Sequence, residues 1–264
     1  MNPTDLTASL FFSAAVRVGA DISLTRLLPL DALNKPLAPH DSYSQRVLLS
    51  LHALGIIEPE VSQSHAEDWL LARDWMHHGF DSIAWRIRWA PRDCRRQHEE
   101  LKVLLRDIEL SDDTSQALLA LWEDLALAEV AQYARWTLAK SGYNPGWTDQ
   151  AIDGLRRALK DFSASQVMYL IYLAMRTLAM THQQGGQDAT RLSLVFADAI
   201  ASYARRAHAE GWTIRGMTRP VDLPLSTLAL IFAHEVTRLD DEYLTVRPSP
   251  EALMIAMTRH RTVH

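Results

Sequence analysis

The sequence predicts an all-α protein, a multi-helix bundle around one buried central helix at residues 163–182. That segment opens with Ser-x-x-Gln, the capping box in which the Ser163 and Gln166 side chains each accept a hydrogen bond from the other residue's backbone amide. Residues 167–175 carry no charge, and because a surface helix keeps a polar face, we expect this helix to be buried on nearly all sides. Hydrophobic residues make up 48% of the 264, and glycines number only 10, a composition that favours a helical protein with a sizeable core.

Hydrophobic spacing, caps and chain breakers predict about twelve helices. They cover about 4–18, 23–33, 41–54, 66–78, 81–89, 91–108, 111–140, 148–160, 163–182, 188–210 and 225–238, with a last helix that begins at Ser249. A polar joint at 62–66 separates two predicted parts, a segment at 1–61 and a helical bundle at 66–264.

Composition also limits the function classes. The net charge is −5 and the pI is about 6.1, so a nucleic acid would have to be bound by a local basic patch. The single cysteine, Cys94, forms no internal disulfide and no cysteine-rich zinc site. The N-terminus lacks the basic start of a secretory signal and no apolar run reaches membrane-spanning length, so we expect a cytoplasmic protein without a membrane partner.

No sequence motif indicates a cofactor. Nucleotide-binding loops of the Gly-x-x-x-x-Gly-Lys and Gly-x-Gly-x-x-Gly types do not occur. The densest group of metal-ligating side chains, His234-Glu235 with the acids of 240–242, lacks the spacing of a zinc or di-iron helix motif. We therefore expect neither a cofactor nor a metal.

The segment from 41 to 60 has a polar helix start, leucines at helical spacing and then Gly55-Ile56-Ile57. With the residues before it, it resembles the recognition helix and wing entry of winged helix-turn-helix domains over roughly residues 22–61. The resemblance implies a small helix-turn-helix-like N-terminal part that binds DNA or docks a protein. Residues 1–61 hold four basic and six acidic residues, and the presumed recognition helix has only Arg46, which disfavours phosphate contact.

The most basic stretch is residues 85–98, which hold five arginines and one acid, Asp93, for a net charge of +4. Arginine grips phosphates and tryptophan stacks on bases, so this cluster is the predicted nucleic-acid or partner site. Its residues are Trp85, Arg86, Arg88, Trp89, Arg92, Arg95 and Arg96. The alternative is a solvated face in which the arginines pair with Glu99 and Glu100 while the tryptophans pack inward.

A second hypothesis is a ribonuclease. HEPN-type ribonucleases, which are helical bundles, use an Arg-x(4–6)-His pair on one helix, and the segment from Arg73 to His78 resembles that pattern. The resemblance implies a histidine that acts as general acid or base and an arginine that stabilises phosphate charge. Four further Arg/His pairs in the chain have the same spacing, so the pattern is weakly specific.

The irregular stretch at 211–226 is a third candidate, because long loops inside compact domains are often functional. Its Trp212, Arg215 and Arg219 could line a partner site, or the loop could simply be anchored by Trp212 in the core. Together these patterns favour a non-enzymatic regulatory or interaction module that binds a protein partner or nucleic acid. The metal-independent ribonuclease is the alternative, and the oligomeric state, a homo-oligomer included, stays open.

Overall fold

The computed structural model describes residues 3–60, 79–90, 92–185 and 188–259. Over these ranges the chain forms ten α-helices and one small sheet, which confirms the all-α prediction. The helices are α1 (Pro3–Gly19), α2 (Asp41–Ala53), α3 (Cys94–Arg106), α4 (Asp112–Lys140), α5 (Thr148–Ala158), α6 (Ala164–Gln183), α7 (Ala189–Ala209), α8 (Thr227–Leu230), α9 (Glu242–Thr245) and α10 (Pro250–Arg259). The strands are β1 (Arg26–Leu27), β2 (Ile57–Pro59) and β3 (Trp85–Ile87). None of the described helices is both long enough and apolar enough to cross a membrane.

The chain divides into two compact units. Unit 1 comprises Met1–Leu118 and Leu225–Arg238, and unit 2 comprises Leu119–Pro224 and Leu239–His264. The predicted N-terminal segment, 1–61, lies within unit 1. The predicted joint at 62–66 and the predicted helix at 66–78 lie outside the described residues.

Unit 1 contains the sheet, whose antiparallel strands have the order β1-β3-β2. Helix α2 ends at Ala53, Gly55 adopts a left-handed φ of 68°, and β2 begins at Ile57. The helix–glycine–strand order predicted for 41–60 is therefore confirmed as local structure. The winged-helix resemblance itself stays a prediction.

Unit 2 is built around helix α6. α6 packs along α7, α7 also packs along α5, and α9 packs against α6. The predicted capping box is present: Gln166 N donates to Ser163 Oγ at 3.4 Å, and Ser163 N donates to Gln166 Oε1 at 2.9 Å. Burial is less complete than expected, because Tyr172 is 43% and Met180 61% exposed. The prediction drawn from the uncharged stretch 167–175 therefore overestimated the burial of one side of the helix.

The predicted helix at 81–89 is wrong. The chain there forms a 3₁₀ turn (Phe80–Ser82) and then strand β3. In β3, Trp85 and Ile87 are buried while Arg86 between them is exposed, which is the alternation of a strand with one buried face. The four-residue spacing of Trp85 and Trp89 is equally compatible with this alternation, and sheet pairing decided between them.

The predicted helix at 23–33 is also wrong. Asp21 Oδ1 accepts hydrogen bonds from the amides of Thr25 at 2.9 Å and Arg26 at 3.2 Å, and Leu24 takes a left-handed φ of 57°. This loop leads into β1, and only a 3₁₀ turn at Leu30–Ala32 remains helical. The predicted helix at 225–238 is α-helical only through Leu230 and continues as a π-helix at Ile231–Val236.

Candidate functional site

The pleat of β3 separates the tryptophans of the predicted cluster from its arginines. Trp85 is 1% exposed and lies in the core of unit 1, against the rings of Phe80 and His52. Trp89 is half-buried and meets the Phe12 ring edge-to-face at 4.6 Å. Both rings therefore serve packing, as the alternative interpretation expected for the tryptophans.

The five arginines of the cluster are all exposed, and together they are here called the arginine face. Its members are Arg86, Arg88, Arg92, Arg95 and Arg96. Arg86 lies on β3, Arg88 follows that strand, and Arg95 and Arg96 lie in the first turn of α3. These arginines therefore belong to a strand, the segment after it and a helix, and do not all lie on one helix.

Among the residues that the structure describes, carboxylates contact four of these five arginines. Glu58 is cross-strand partner of Arg86, with which it forms an ion pair, and its second oxygen lies 3.8 Å from Arg88 Nε. Arg96 contacts Asp93 at 3.2 Å and Glu100 at 3.0 Å, and Arg92 Nε lies 3.8 Å from Asp93. The hydrogen bond to Asp93 and the charge of Glu100 raise the pKa of Arg96.

The structure thereby lowers the charge of the arginine face. Five arginines and the three carboxylates that contact them, Glu58, Asp93 and Glu100, leave a net charge of +2, compared with +4 for the sequence window. Glu58 is distant in sequence and enters only through strand pairing.

A cavity of about 500 Å³ lies on this charged side of the sheet. Its walls alternate in charge: Arg26 pairs with Glu60 at 2.6 Å, and Arg86 pairs with Glu58. Asp21 also lines the cavity: burial raises the pKa of its carboxyl, but hydrogen bonds from Ser23 and from neighbouring backbone amides outweigh this, so the pKa is lowered overall. Arg26 and Arg86 therefore each have a carboxylate partner at the cavity.

The presumed recognition helix, α2, presents few cations. Arg46 lies over the Tyr43 ring at 3.8 Å, and Gln45 Nε2 donates to Asp81 Oδ1 at 3.0 Å. The Gln45 amide is thus engaged by an acid, and Asp41 is exposed in the first turn. This geometry agrees with the charge argument against DNA contact through this helix.

The stretch at 211–226 is anchored at several points. Met217 N donates to Ser165 O at 3.0 Å, and Gln166 Nε2 donates to Ile214 O at 3.0 Å. A side chain at Gly216 would come within 2.4 Å of Ser165 Oγ, so this close approach requires glycine. The start of α6 therefore holds the loop as well as capping the helix.

Arg219, one of the predicted partner residues, is buried in an ion pair. Its Nη1 lies 2.5 Å from Glu129 Oε2, with exposed fractions of 9% for the arginine and 0% for the glutamate side chain. It also donates to Gln132, to Leu223 O at 2.5 Å and to Pro224 O at 3.3 Å. Arg219 thus fixes the loop to α4 and leaves little surface for a partner.

Glu129 is a fully buried carboxyl group whose pKa is strongly raised. Burial raises the pKa of its carboxyl to about 7, while the charge of Arg219 and a 3.5 Å hydrogen bond from Tyr243 Oη oppose the rise. Sequence reasoning missed this residue. It was detectable as a lone acid at an inward position of the apolar stripe Trp122, Leu125, Ala126, Glu129, Tyr133 on α4.

The other two predicted loop residues lie nearer the surface. Trp212 is half-buried, donates from Nε1 to Glu210 Oε2 at 2.7 Å, and lies 5.3 Å from the Arg206 guanidinium. Arg215 is exposed. The loop is therefore anchored, but by Arg219 and the start of α6 as well as by Trp212.

The predicted ribonuclease pair, Arg73 and His78, lies outside the described residues. Among the side chains that the structure does describe, no three metal-ligating groups come together. Comparison of the chain with protein-family models, curated proteins and solved structures gave no match.

Proposed function

We propose that the protein is a non-enzymatic interaction module whose arginine face binds a protein partner. The observation that carries the proposal is the pairing of these arginines with Glu58, Asp93 and Glu100. Binding of a phosphate backbone depends mainly on cations that are not already paired with carboxylates, and this face has few of them. A protein surface of mixed charge can exchange ion pairs with the face at little cost, because exposed pairs contribute about 0–1 kcal/mol each.

Helix α3 supports a protein partner for a second reason. Along its exposed side, Arg96 and Glu100 are followed by Val103 and Leu104, which are 55% and 44% exposed. Arginine beside apolar side chains, with a polar rim, is the usual composition of a protein–protein interface. We therefore place the centre of the proposed interface on α3.

A photo-crosslinking residue in place of Val103, in protein expressed in its native host, tests this proposal. We expect a discrete protein adduct that the triple variant Arg92→Ala/Arg95→Ala/Arg96→Ala loses. The matched control carries the crosslinker at Met254, which is 56% exposed on α10 of unit 2, and its adducts should not depend on the arginines. Identical adducts from the parent and the triple variant would contradict the proposal.

A salt titration against duplex and single-stranded oligonucleotides tests the nucleic-acid alternative. If the parent binds at about 50 mM salt and the triple variant loses up to about three phosphate contacts from the salt slope, nucleic acid is the partner. Arg46→Ala is the control for DNA binding through helix α2, and it should leave the binding unchanged. The ribonuclease alternative is favoured instead if the parent cuts RNA without added metal and His78→Ala does not.

A further inference from the structure

Unit 2 contains a cavity that belongs neither to the arginine face nor to the loop at 211–226. It measures about 440 Å³ and lies between α4, the end of α5 and the segment Arg247–Pro248. Its size falls within the range of about 300–1,000 Å³ that small-molecule sites occupy. Its lining residues are Ala120, Glu123, Asp124, Ala126, Leu127, Arg156, Leu159, Lys160, Arg247 and Pro248.

We propose that this cavity binds a small monoanionic amphiphile, with the anion at Lys160 and Arg247 and the apolar body on Leu127 and Leu159. The inference concerns unit 2 alone and is independent of the proposed protein interface of unit 1. Three cations and an apolar floor lie within one concave site, which is the combination such a ligand requires.

The two cations at the proposed anion site, Lys160 and Arg247, have N–H donors that can bind an anion. Arg247 Nη1 donates to the carbonyl oxygen of Lys160 at 2.9 Å, which brings the two residues together. A backbone hydrogen bond and, to a lesser extent, the charge of Arg247 lower the pKa of the Glu251 carboxyl, but within the described residues one hydrogen bond leaves other guanidinium donors of Arg247 for an anion. Lys160 is exposed and forms no ion pair within the described part of the chain. Arg156, the third cation, is already engaged by Asp153 at 3.0 Å.

The apolar floor and the opposite wall define the rest of the ligand. Leu127 and Leu159 are half-buried and Ala126 is buried, so an apolar body seated there would remove further apolar surface from water. Glu123 and Asp124 line the α4 wall. Because the exposed carboxylate of Glu123 would repel a second negative charge, the site favours a single anionic group over a dianion.

Fluorescence titration with anilinonaphthalene sulfonate, a monoanion with an apolar aromatic body, tests the site. We expect saturable binding of one molecule per chain to the parent, weakened about tenfold or more in Lys160→Gln/Arg247→Gln. The matched control, Arg157→Gln/Arg205→Gln, removes two exposed cations of unit 2 that do not line the cavity, and it should bind like the parent. Near-ultraviolet circular dichroism confirms that each variant keeps its tertiary packing.

Competition with octanoate, octanol and octylamine separates the contribution of the charge from that of the chain. We expect octanoate to displace the dye at the lowest concentration from the parent, and this advantage to disappear in the double variant. If that variant loses its packing, Lys160→Gln alone replaces it in both measurements. Non-saturable dye binding, equal loss in the control variant, or displacement by octanol as effective as by octanoate would each overturn the proposal.

Discussion

Two arginine–glutamate ion pairs of this protein differ in their exposure to water: one is exposed and the other is buried. Arg86 and Glu58, on neighbouring strands of unit 1, are 66% and 29% exposed, whereas Arg219 and Glu129 in unit 2 are 9% and 0% exposed. Water screens the first pair and competes for its hydrogen bonds, so that pair is free to exchange partners. The second pair has no such competitor: it anchors the loop at 211–226, and the burial that excludes water raises the pKa of Glu129 while Arg219 opposes the rise.

The largest expected effect follows from breaking the buried pair. Arg219→Ala should lower the free energy of unfolding by about 3–5 kcal/mol, because it leaves the Glu129 carboxylate buried without its partner and frees the carbonyls of Leu223 and Pro224. Urea denaturation at pH 8, where this carboxyl is mostly ionised in the folded protein, is the measurement. Replacing both residues, as Glu129→Leu/Arg219→Met, should recover part of the loss, and a parent-like Arg219→Ala variant would refute the assignment.

Two leucines of α6 extend the comparison to apolar side chains. Leu170 is 0% exposed and Leu173 is half-buried. Leu170→Ala should cost about 2–5 kcal/mol, as for a buried leucine, and Leu173→Ala clearly less. Thermal melting of the two variants measures these losses. An equal loss of stability in both variants would mean that α6 is buried on both sides.

The titration of Glu129 should make stability depend on pH. Its pKa is about 7 in the folded protein and ordinarily 4.5, so the folded state binds this proton more tightly than the unfolded state. The resulting stabilisation is fully present below pH 4.5 and is lost as the pH rises through 7, about 3 kcal/mol in all. Glu129→Gln removes the titration and is the control.

The measurement is the difference in unfolding free energy between the parent and Glu129→Gln, followed from pH 4 to 8. Between pH 4.5 and 7 we expect the parent to lose stability relative to the variant. A difference that stays constant over this interval would show that Arg219 keeps the carboxyl fully ionised.

The smallest expected effect is that of the exposed pair. Arg86→Ala should change the free energy of unfolding by less than about 1 kcal/mol, because both groups become hydrated when the pair is broken. Urea denaturation at low and high salt measures it. A loss as large as that of Arg219→Ala would remove the distinction between the two pairs.

Local structure was largely predictable from the sequence. Helices α4 to α7, the capping box of Ser163 and Gln166, and the α2–Gly55–β2 junction follow from periodicity, caps and breakers within short windows. Two predicted helices, at 23–33 and 81–89, are wrong because short strands there pair with partners distant in the chain. Such pairing depends on contacts that a local window does not contain.

The sequence by itself determined the helical class, the capped start of α6 and the concentration of arginines at 85–98. Only the tertiary structure decided what those arginines face, because Glu58 reaches Arg86 through strand pairing. It likewise decided that Arg219, in an irregular and polar stretch, is buried against Glu129. The physical reason is the same in both cases: the free energy of a charged side chain depends on the groups and the water around it, and folding brings those together from distant parts of the chain.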